Sequence, residues 1–594
     1  MNKPVYILGI NSSYHESSAC IVKNGELISF IEEERLNRKK HAKPARIDNA
    51  DELPVASIRH CVEAAGIDLD QIDAIAFNFK PEERLRQQVD VDNGHDITPG
   101  SWGTLEGEQI FFESNQRVVQ KLSELFGRDI SSIFHWVKHH VAHAAGSYQS
   151  SGFPSAAILI VDGIGESKST WVGAGKGKNI SELFEIDYPN SLGFLWEKIS
   201  EFLGFSEYDG EKVMGLASYG DADHELPGMR MVVDTTLPGS FKVNNEIILL
   251  RTGDFSRLEQ LFGISRRKKE EPLMQKHKNI AAALQRMTEE VVLNLARNVK
   301  ERTGESRLCM AGGTALNVVS NAKLAESRIF NEIYIQPAAN DAGGAVGAAF
   351  YVHTDVLGQN RPSPVLHAYQ GPEYSNEEIA NTLAKHADAL EFRHVGTIKK
   401  ETAQLLADGK LVAWFQGKME TGPRALGHRS LLADPRHREA MDWINSKVKK
   451  REYFRPLAPS VLEEYVQQWF ETGRDIPDPA KYMLMAFKAR EDKKNRIPAA
   501  VHVDDTSRIQ SVSRETSPEY WELIDEFRKI TGIPMVLNTS LNVQEPIVCS
   551  PEDAMKTFLD SKIDYLVLEN YLCTRKHDDQ PSPFGLRPAS QDSH

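Results

Sequence analysis

Cysteine is scarce and scattered. The five in 594 residues, Cys20, Cys61, Cys309, Cys549 and Cys573, form no C-x-x-C pair, which argues against a disulfide framework or a zinc ribbon and fits a reducing cytoplasm. No apolar run approaches the length of a membrane span, and the apolar stretch at residues 5–10 is too short and too poorly flanked for a signal peptide. A cytoplasmic protein is expected. Positive charge is in deficit: a net charge of −14 argues against a general nucleic-acid binder, because counterion release needs a net basic face. Any basic site must be local. The length suggests roughly three or four compact units, and oligomeric state is left open, a homo-oligomer included.

What is present centres on Lys138-His139-His140-Val141-Ala142-His143-Ala144. If this stretch is helical, His139 and His143 share one face and two imidazoles can close on one ion. The metalloprotease motif is excluded, since His140 stands where that chemistry needs a Glu. By itself an H-x-x-x-H pair describes ordinary helix histidines more often than a metal site. Two carboxylates change the balance. Asp162 ends an apolar run at 156–161 that reads as a buried strand, so it emerges where open α/β sheets bind ligands. Asp341 opens a small-residue helix after a strand at 333–335. Two His and two Asp make an N/O set suited to iron, manganese or zinc.

Around this set, residues 5–10 read as a strand, followed by a polar turn carrying His15 and a hairpin across Asn24-Gly25. His15 is the one group in the turn able to exchange a proton near neutral pH, although a solvated turn histidine fits the same residues. The mixed charge run at 32–41 reads as a solvated face whose basic half can meet an anion. A helix is expected at 56–65, a strand at 74–79, and at 81–116 an insertion with helical pieces that shapes an acceptor pocket. A strand at 169–175 and an amphipathic helix at 192–202 precede Lys212, which is placed among glycines to pair with a phosphate or a carboxylate. After a long helix at 279–302, the strand at 308–310 runs into Ala311-Gly312-Gly313-Thr314-Ala315-Leu316-Asn317, a strand, turn and helix start that offer N–H groups to an anion.

A Pro-containing linker at 357–374 separates this part from a second domain at 375–576, opened by the capping box from Ser375 to Glu378. There the chain gathers Arg and Lys beside glycine turns, with Arg424 in Gly422-Pro423-Arg424-Ala425-Leu426-Gly427, then Lys449, Arg455 and Arg508. In so acidic a chain this density suits phosphates, with a surface basic patch as the other reading. A strand at 535–537 then delivers Asn538-Thr539-Ser540, able to bind a small planar amide or a phosphate. Residues 577–594 have the composition of a flexible tail.

These motifs together resemble the O-carbamoyltransferases of the NodU/CmcH family along nearly the whole chain: the His15 turn, the His139 and His143 pair, Asp162-Gly163-Ile164-Gly165-Glu166, the Lys212 segment, Gly312 to Asn317, Asn340-Asp341, the Arg424 turn with Arg429-Ser430, residues 451–456, Asn538-Thr539-Ser540 and Glu545 to Cys549. The resemblance implies an α/β chain: an actin-like ATPase (TsaD-like) two-lobed domain at 1–356, followed by a YrdC-like domain. The YrdC-like part would make carbamoyl adenylate from carbamoyl phosphate and Mg-bound ATP, with Arg424, Lys449, Arg455 and Arg508 on the phosphates and Asn538 and Ser540 on the carbamoyl amide. The TsaD-like part would hold Fe(II) on His139, His143, Asp162 and Asp341, line the nucleotide with Gly312, Gly313, Asn317 and Lys212, and use His15 in transfer to a hydroxyl of a small-molecule acceptor. Gln544, Asp505 and Ser507 depart from the family's smaller residues near the carbamoyl phosphate site, and Ser17-Ser18 departs after the His15 turn. Two rivals stay open: a threonylcarbamoyl-type enzyme acting on tRNA, which the acidic charge disfavours, and an actin-like ATPase switch, which would need no second anion site.

Overall fold

Alternation and turn chemistry build the first sheet. Strands β1 (Tyr6–Asn11), β2 (Ser18–Lys23) and β3 (Glu26–Glu32) form a meander whose second turn is the expected Asn24-Gly25 hairpin. β4 (Ala74–Phe77) and β5 (Phe134–Trp136) join parallel on the other side of β1, giving the order β3-β2-β1-β4-β5. These strands belong to a computed structural model that describes residues 3–88, 97–473 and 475–576. The tail expected at 577–594 lies outside the described residues.

The same topology then repeats. β6 (Ser155–Val161), β7 (Lys168–Lys176) and β8 (Asn179–Asp187) form a second meander. After a small strand pair, β9 (Val233–Asp234) with β10 (Lys242–Val243), β11 (Arg307–Ala311) and β12 (Glu332–Ile335) join β6 in parallel, in the order β8-β7-β6-β11-β12. In both halves the first strand sits third from the edge, with its antiparallel partners on one side and parallel ones on the other. This is the duplicated topology of the actin-like ATPases. The chain divides into two compact units, Met1–Leu366 and His367–His594, fewer than the length suggests, because one unit holds both halves.

Two helices carry the chain between the halves and touch each other: His139–Ser151 links β5 to β6, and Gly344–Tyr351 follows β12. Their approach requires glycine, for a Cβ on Gly347 would lie 1.8 Å from the Ala142 carbonyl oxygen. Ser18 Oγ donates to the Ala342 carbonyl at 2.7 Å and ties β2 to the turn before the second helix.

One region differs from expectation and another follows it. The charge run at 32–41 is a solvated face only in its basic half: Glu32, Glu33 and Arg35 are buried, whereas Lys39 and Lys40 are exposed. The Glu33 carboxylate accepts the Ala56 and Ser57 N–H groups at the start of the helix Val55–Ala64, an N-terminal use of negative charge that composition does not reveal. The stretch at 81–116 contributes the helices Pro81–Gln88 and Leu105–Phe126, clamped by a buried two-bond pair between Arg84 and Glu108 at 2.7 and 2.8 Å; residues 89–96 lie outside the described residues.

The second unit is α/β. The Ser375 capping box starts the helix Asn376–Ala384 as expected. β13 (Leu390–His394), β14 (Val412–Phe415), β15 (Arg429–Ala433) and β16 (Ala458–Leu462) are followed by the small pair β17 (Ala486–Lys488) and β18 (Thr506–Arg508). β19 (Gln510–Val512), β20 (Met535–Ser540), β21 (Tyr565–Leu568) and β22 (Tyr571–Arg575) complete an eight-stranded mixed sheet, β13-β22-β21-β14-β15-β20-β16-β19. Asn538 and Ser540 are thus strand residues, two apart on one face, rather than a loop after the strand. Among the described residues no helix is long and apolar enough to cross a membrane.

Filling the Gly347 contact tests the helix crossing. Gly347→Ala is expected to lower stability by about 1–3 kcal/mol, the usual cost of overpacking, read as a drop in the urea midpoint of the first unit's transition. An unchanged midpoint would show that the helices part without cost.

Candidate functional site

The helix His139–Ser151 brings His139 and His143 to one face, and both Nε2 atoms meet the carboxylates of Asp162, just past β6, and Asp341, after β12. His139 Nε2 lies 3.0 Å from Asp162 Oδ2 and 3.2 Å from His143 Nε2. Asp341 Oδ1 lies 3.5 and 3.7 Å from the two Nε2 atoms, and His143 Nε2 is 3.4 Å from Asp162 Oδ2. All four residues are buried, with one ligand atom from each inside a 4.8 Å span. Donors at metal bonds of about 2.1 Å stand about 3 to 4.2 Å apart across one ion, so the set fits a divalent metal, and its two carboxylates match the ion's charge.

The same closeness sets the charges in the site. Burial pushes the Asp162 carboxyl up, but the imidazoles of His139 and His143 hold it well below the usual carboxylate range. Asp341 is lowered as well: burial opposes, and His139 prevails. For His139, burial works against protonation while Asp341 and Asp162 overcome it and raise the imidazole well above its ordinary value. His140, on the same helix, is pushed down to about 3 by burial and by His139, so it stays a neutral neighbour.

The groups around this set also orient it. Gly313 N–H donates to Asp162 Oδ1 at 3.0 Å. Gly312 has a positive φ of 88°, and a Cβ there would meet the Val161 carbonyl oxygen at 2.4 Å, so the Gly-Gly turn lets β11 end against β6. Glu166, which no spacing rule assigns a role, caps the helix that carries both histidines: its carboxylate accepts the N–H of His139 at 3.0 Å and of Lys80 at 2.9 Å. Tyr14 O–H donates to the Gly165 carbonyl at 2.8 Å and joins the His15 turn to the same loop.

His15 is half-buried, with Nδ1 3.9 Å from Glu16 Oε2. Its ring centroid lies 6.2 Å from that of His41 and 5.1 Å from that of Tyr208. His41, the last residue of the 32–41 charge run, lies 3.6 Å from Glu16 Oε1; burial disfavours its charge, and Glu16 overcomes that and raises its pKa. No spacing signal connects His41 or Tyr208 to His15. Lys212 forms an ion pair with Asp209 at 2.9 Å, the carboxylate alternative. Asn317 caps the helix Val318–Glu326 through Ser320 N–H and exchanges amide bonds with Gln285, which commits its side chain to the fold.

In the second unit Lys449, Asn538 and Ser540 meet along the end of β20. The Lys449 ammonium is buried, donating to the Ser540 carbonyl, to Ser540 Oγ at 3.3 Å, and to the Asn542 carbonyl and Oδ1 at 2.8 and 2.6 Å. It holds the Ser540 loop. Asn538 Nδ2 donates to the carbonyl of Ala425, next to Arg424, at 3.1 Å and to Gln510 Oε1, two residues after Arg508, at 3.0 Å. Asn538 Oδ1 is buried without a partner among the described residues. Arg455 accepts through its carbonyl from Asn445 at 2.9 Å, in the segment that leads to Lys449. Arg429 serves the fold instead. Buried, it donates to the carbonyls of Gln416, Gly417, His428 and Pro372 at 2.8 to 3.1 Å and lies 3.5 Å over the Phe415 ring, which fixes the base of the Arg424 turn. Of the departures, Ser507 Oγ donates to the Ala500 carbonyl at 2.6 Å, Asp505 pairs with Lys494 at 3.1 Å, and Gln544 is exposed.

Comparison with known proteins accounts for both units. The family models described as Carbamoyltransferase N-terminus and Carbamoyltransferase C-terminus match residues 6–350 and 403–575. Nodulation protein NolNO of Sinorhizobium fredii is 37% identical over 95% of this chain and 80% of its own length. The uncharacterized protein sll1178 of Synechocystis is 36% identical over 96% of this chain and 97% of its own. Among solved structures, HypF of T. kodakarensis is 14% identical, with a TM-score of 0.32 over 60% of this chain and 50% of that one. A ROK hexokinase of Thermus thermophilus is also 14% identical, with a TM-score of 0.29 over 60% of this chain and 100% of that one. Both scores are low, and the actin-like topology rests on the strand order described above. With its two ends matched by the two family models, the chain belongs to the NodU/CmcH family of carbamoyltransferases and is an enzyme that transfers carbamoyl groups.

Proposed function

We propose that the second unit makes carbamoyl adenylate from carbamoyl phosphate and ATP, and that the first unit transfers the carbamoyl group to a hydroxyl of a small molecule. The observation that carries this reading is Asn538 Oδ1, a buried acceptor left without a donor on a strand whose neighbours in space include Lys449, Ala425 beside Arg424, and Gln510 beside Arg508. A carbamoyl group brings the missing N–H, and its phosphate brings the charge that those cations suit.

The atoms balance in three steps. Water cleaves carbamoyl phosphate to carbamate and phosphate. A carbamate oxygen bonds to the α-phosphorus of Mg-bound ATP and pyrophosphate leaves. The acceptor hydroxyl oxygen then bonds to the carbamoyl carbon, AMP leaves, and the hydroxyl proton passes to His15. In the second unit Arg424, Arg455 and Arg508 neutralise phosphate oxygens, while Lys449 keeps Ser540 and Asn542 in place behind them. In the first unit the Gly312-Gly313 turn, closed against Val161 and Asp162, is the backbone edge read as facing the nucleotide, while Asn317 and Lys212 act through the partners they hold, Gln285 and Asp209. His15 takes the proton at Nε2, the ring nitrogen turned from Glu16.

His139, His143, Asp162 and Asp341 would hold the metal, read as Fe(II), with Mn(II) or Zn(II) suited to the same donors. A bound divalent ion supplies charge stabilisation to an oxygen anion at this spot.

Two experiments test the reading. Purified protein given ATP, magnesium and carbamoyl phosphate without an acceptor should release pyrophosphate and form carbamoyl adenylate by mass spectrometry, and Arg424→Ala should lower the rate by about 100-fold. ADP and phosphate as the products, at equal rates in both proteins, would sink the adenylate step and favour the ATPase switch. After loading with Fe(II), Mn(II) or Zn(II) and dialysis, the wild type should retain one ion per chain by elemental analysis, and His143→Ala and Asp341→Asn should retain at least about tenfold less. Full retention by both variants would show that these side chains are not ligands.

A further inference from the structure

Asn538, Ser460 and Gln510 stand on three adjacent strands, β20, β16 and β19, and are 1%, 0% and 2% exposed. Ser460 and Gln510 are direct partners across β16 and β19. Asn538 is paired with Ala458, which puts Ser460 two residues along on the same face.

The direction of every bond in this trio follows from one backbone carbonyl. The Leu426 oxygen can only accept, so Gln510 turns its Nε2 toward it, at 2.8 Å. Gln510 Oε1 then faces the other way, where it accepts from the Ser460 hydroxyl at 2.6 Å and from Asn538 Nδ2 at 3.0 Å. Asn538 Nδ2 is also held by the Ala425 carbonyl at 3.1 Å and Ser460 Oγ at 3.0 Å. A reversed Asn538 amide would set its oxygen against two acceptors, the Ala425 carbonyl and Gln510 Oε1, and the one hydroxyl in reach, that of Ser460, is already given to Gln510 Oε1. The oxygen is therefore kept on the side away from Ala425 and Gln510, where it has no partner among the described residues.

We propose that Gln510, supported by Ser460, is a specificity-determining positioning residue: it holds Asn538 Oδ1 as an acceptor that admits the NH2 of a carbamoyl group and rejects an acyl group with a methyl in its place. The proposal rests on the reading of the second unit as a carbamoyl adenylate former. A buried site built to accept a substrate N–H discriminates strongly against the analogue that lacks it, because its own oxygen is then left unpaired. Acetyl phosphate is that analogue, differing by CH3 for NH2. Its reaction has the same balance: water gives acetate and phosphate, and acetate with ATP gives acetyl adenylate and pyrophosphate.

The test compares kcat/KM for pyrophosphate release with carbamoyl phosphate and with acetyl phosphate, in the full chain, for wild type, Gln510→Leu and Ser460→Ala, with thermal melts alongside. The wild type should prefer carbamoyl phosphate by about a thousandfold or more. Gln510→Leu should bring that preference within about tenfold, by losing rate on carbamoyl phosphate and none on acetyl phosphate. Ser460→Ala keeps Gln510 in place and should lower the preference by about threefold; it carries the test if Gln510→Leu does not fold. A merely structural role would slow both substrates alike. An unchanged preference in the folded variant overturns the proposal, whereas wild type that releases no pyrophosphate from either phosphate refutes the adenylate reading itself, and the proposal with it.

Discussion

The two oxygens of the Asp162 carboxylate answer to different parts of the first unit. Oδ1 accepts the N–H of Gly313 at the end of β11, and Oδ2 faces the imidazoles that open the helix between β5 and β6. A buried charge held this way is tolerable only with its partners in place, so the strand end, the glycine turn and the helix must assemble together. Glu166 reinforces the arrangement from behind, since its carboxylate holds the helix's first N–H. The Gly312-Gly313 turn, the histidines and the His15 turn, tied in through Tyr14, all depend on that one loop.

The second unit solves a related problem without charge. Asn538 carries no information about its own orientation, because its oxygen and nitrogen are nearly the same size. Orientation is imposed from a carbonyl through Gln510, and the Arg424 turn that supplies the carbonyl is itself held by the buried Arg429. Among the basic residues of this unit, Arg429 and Lys449 thus serve the turns, and Arg424, Arg455 and Arg508 are the ones proposed for a substrate.

That division explains what is legible in the sequence. His139, His143, Asp162 and Asp341 can be found because helix spacing and a strand's end place side chains by simple geometry. The hairpin at Asn24-Gly25 and the Ser375 capping box are readable for the same local reason. The acidic half of the charge run at 32–41 looks solvated in sequence because the burial of Glu33 depends on the helix start at Ala56 and Ser57, more than twenty residues on. Nothing in the spacing of Arg84 and Glu108, or of His15 and His41, marks them as neighbours. Asn317 and Lys212 stand out as polar groups at a turn, yet which partner each takes is decided by Gln285 and Asp209.

The crossing at Gly347 has a mechanical consequence. The helices His139–Ser151 and Gly344–Tyr351 run side by side from the same end, and at that end lie His139, His143 and, just before the second helix, Asp341. They are the chain's two passages between the halves. Should the halves swing against each other, this pair is the axle. Groups on the axle keep their mutual distances through such a swing, so His139, His143 and Asp341 hold their places relative to one another, while Asp162, just past β6 and bonded to Gly313, travels with the second half and away from His15 on the first.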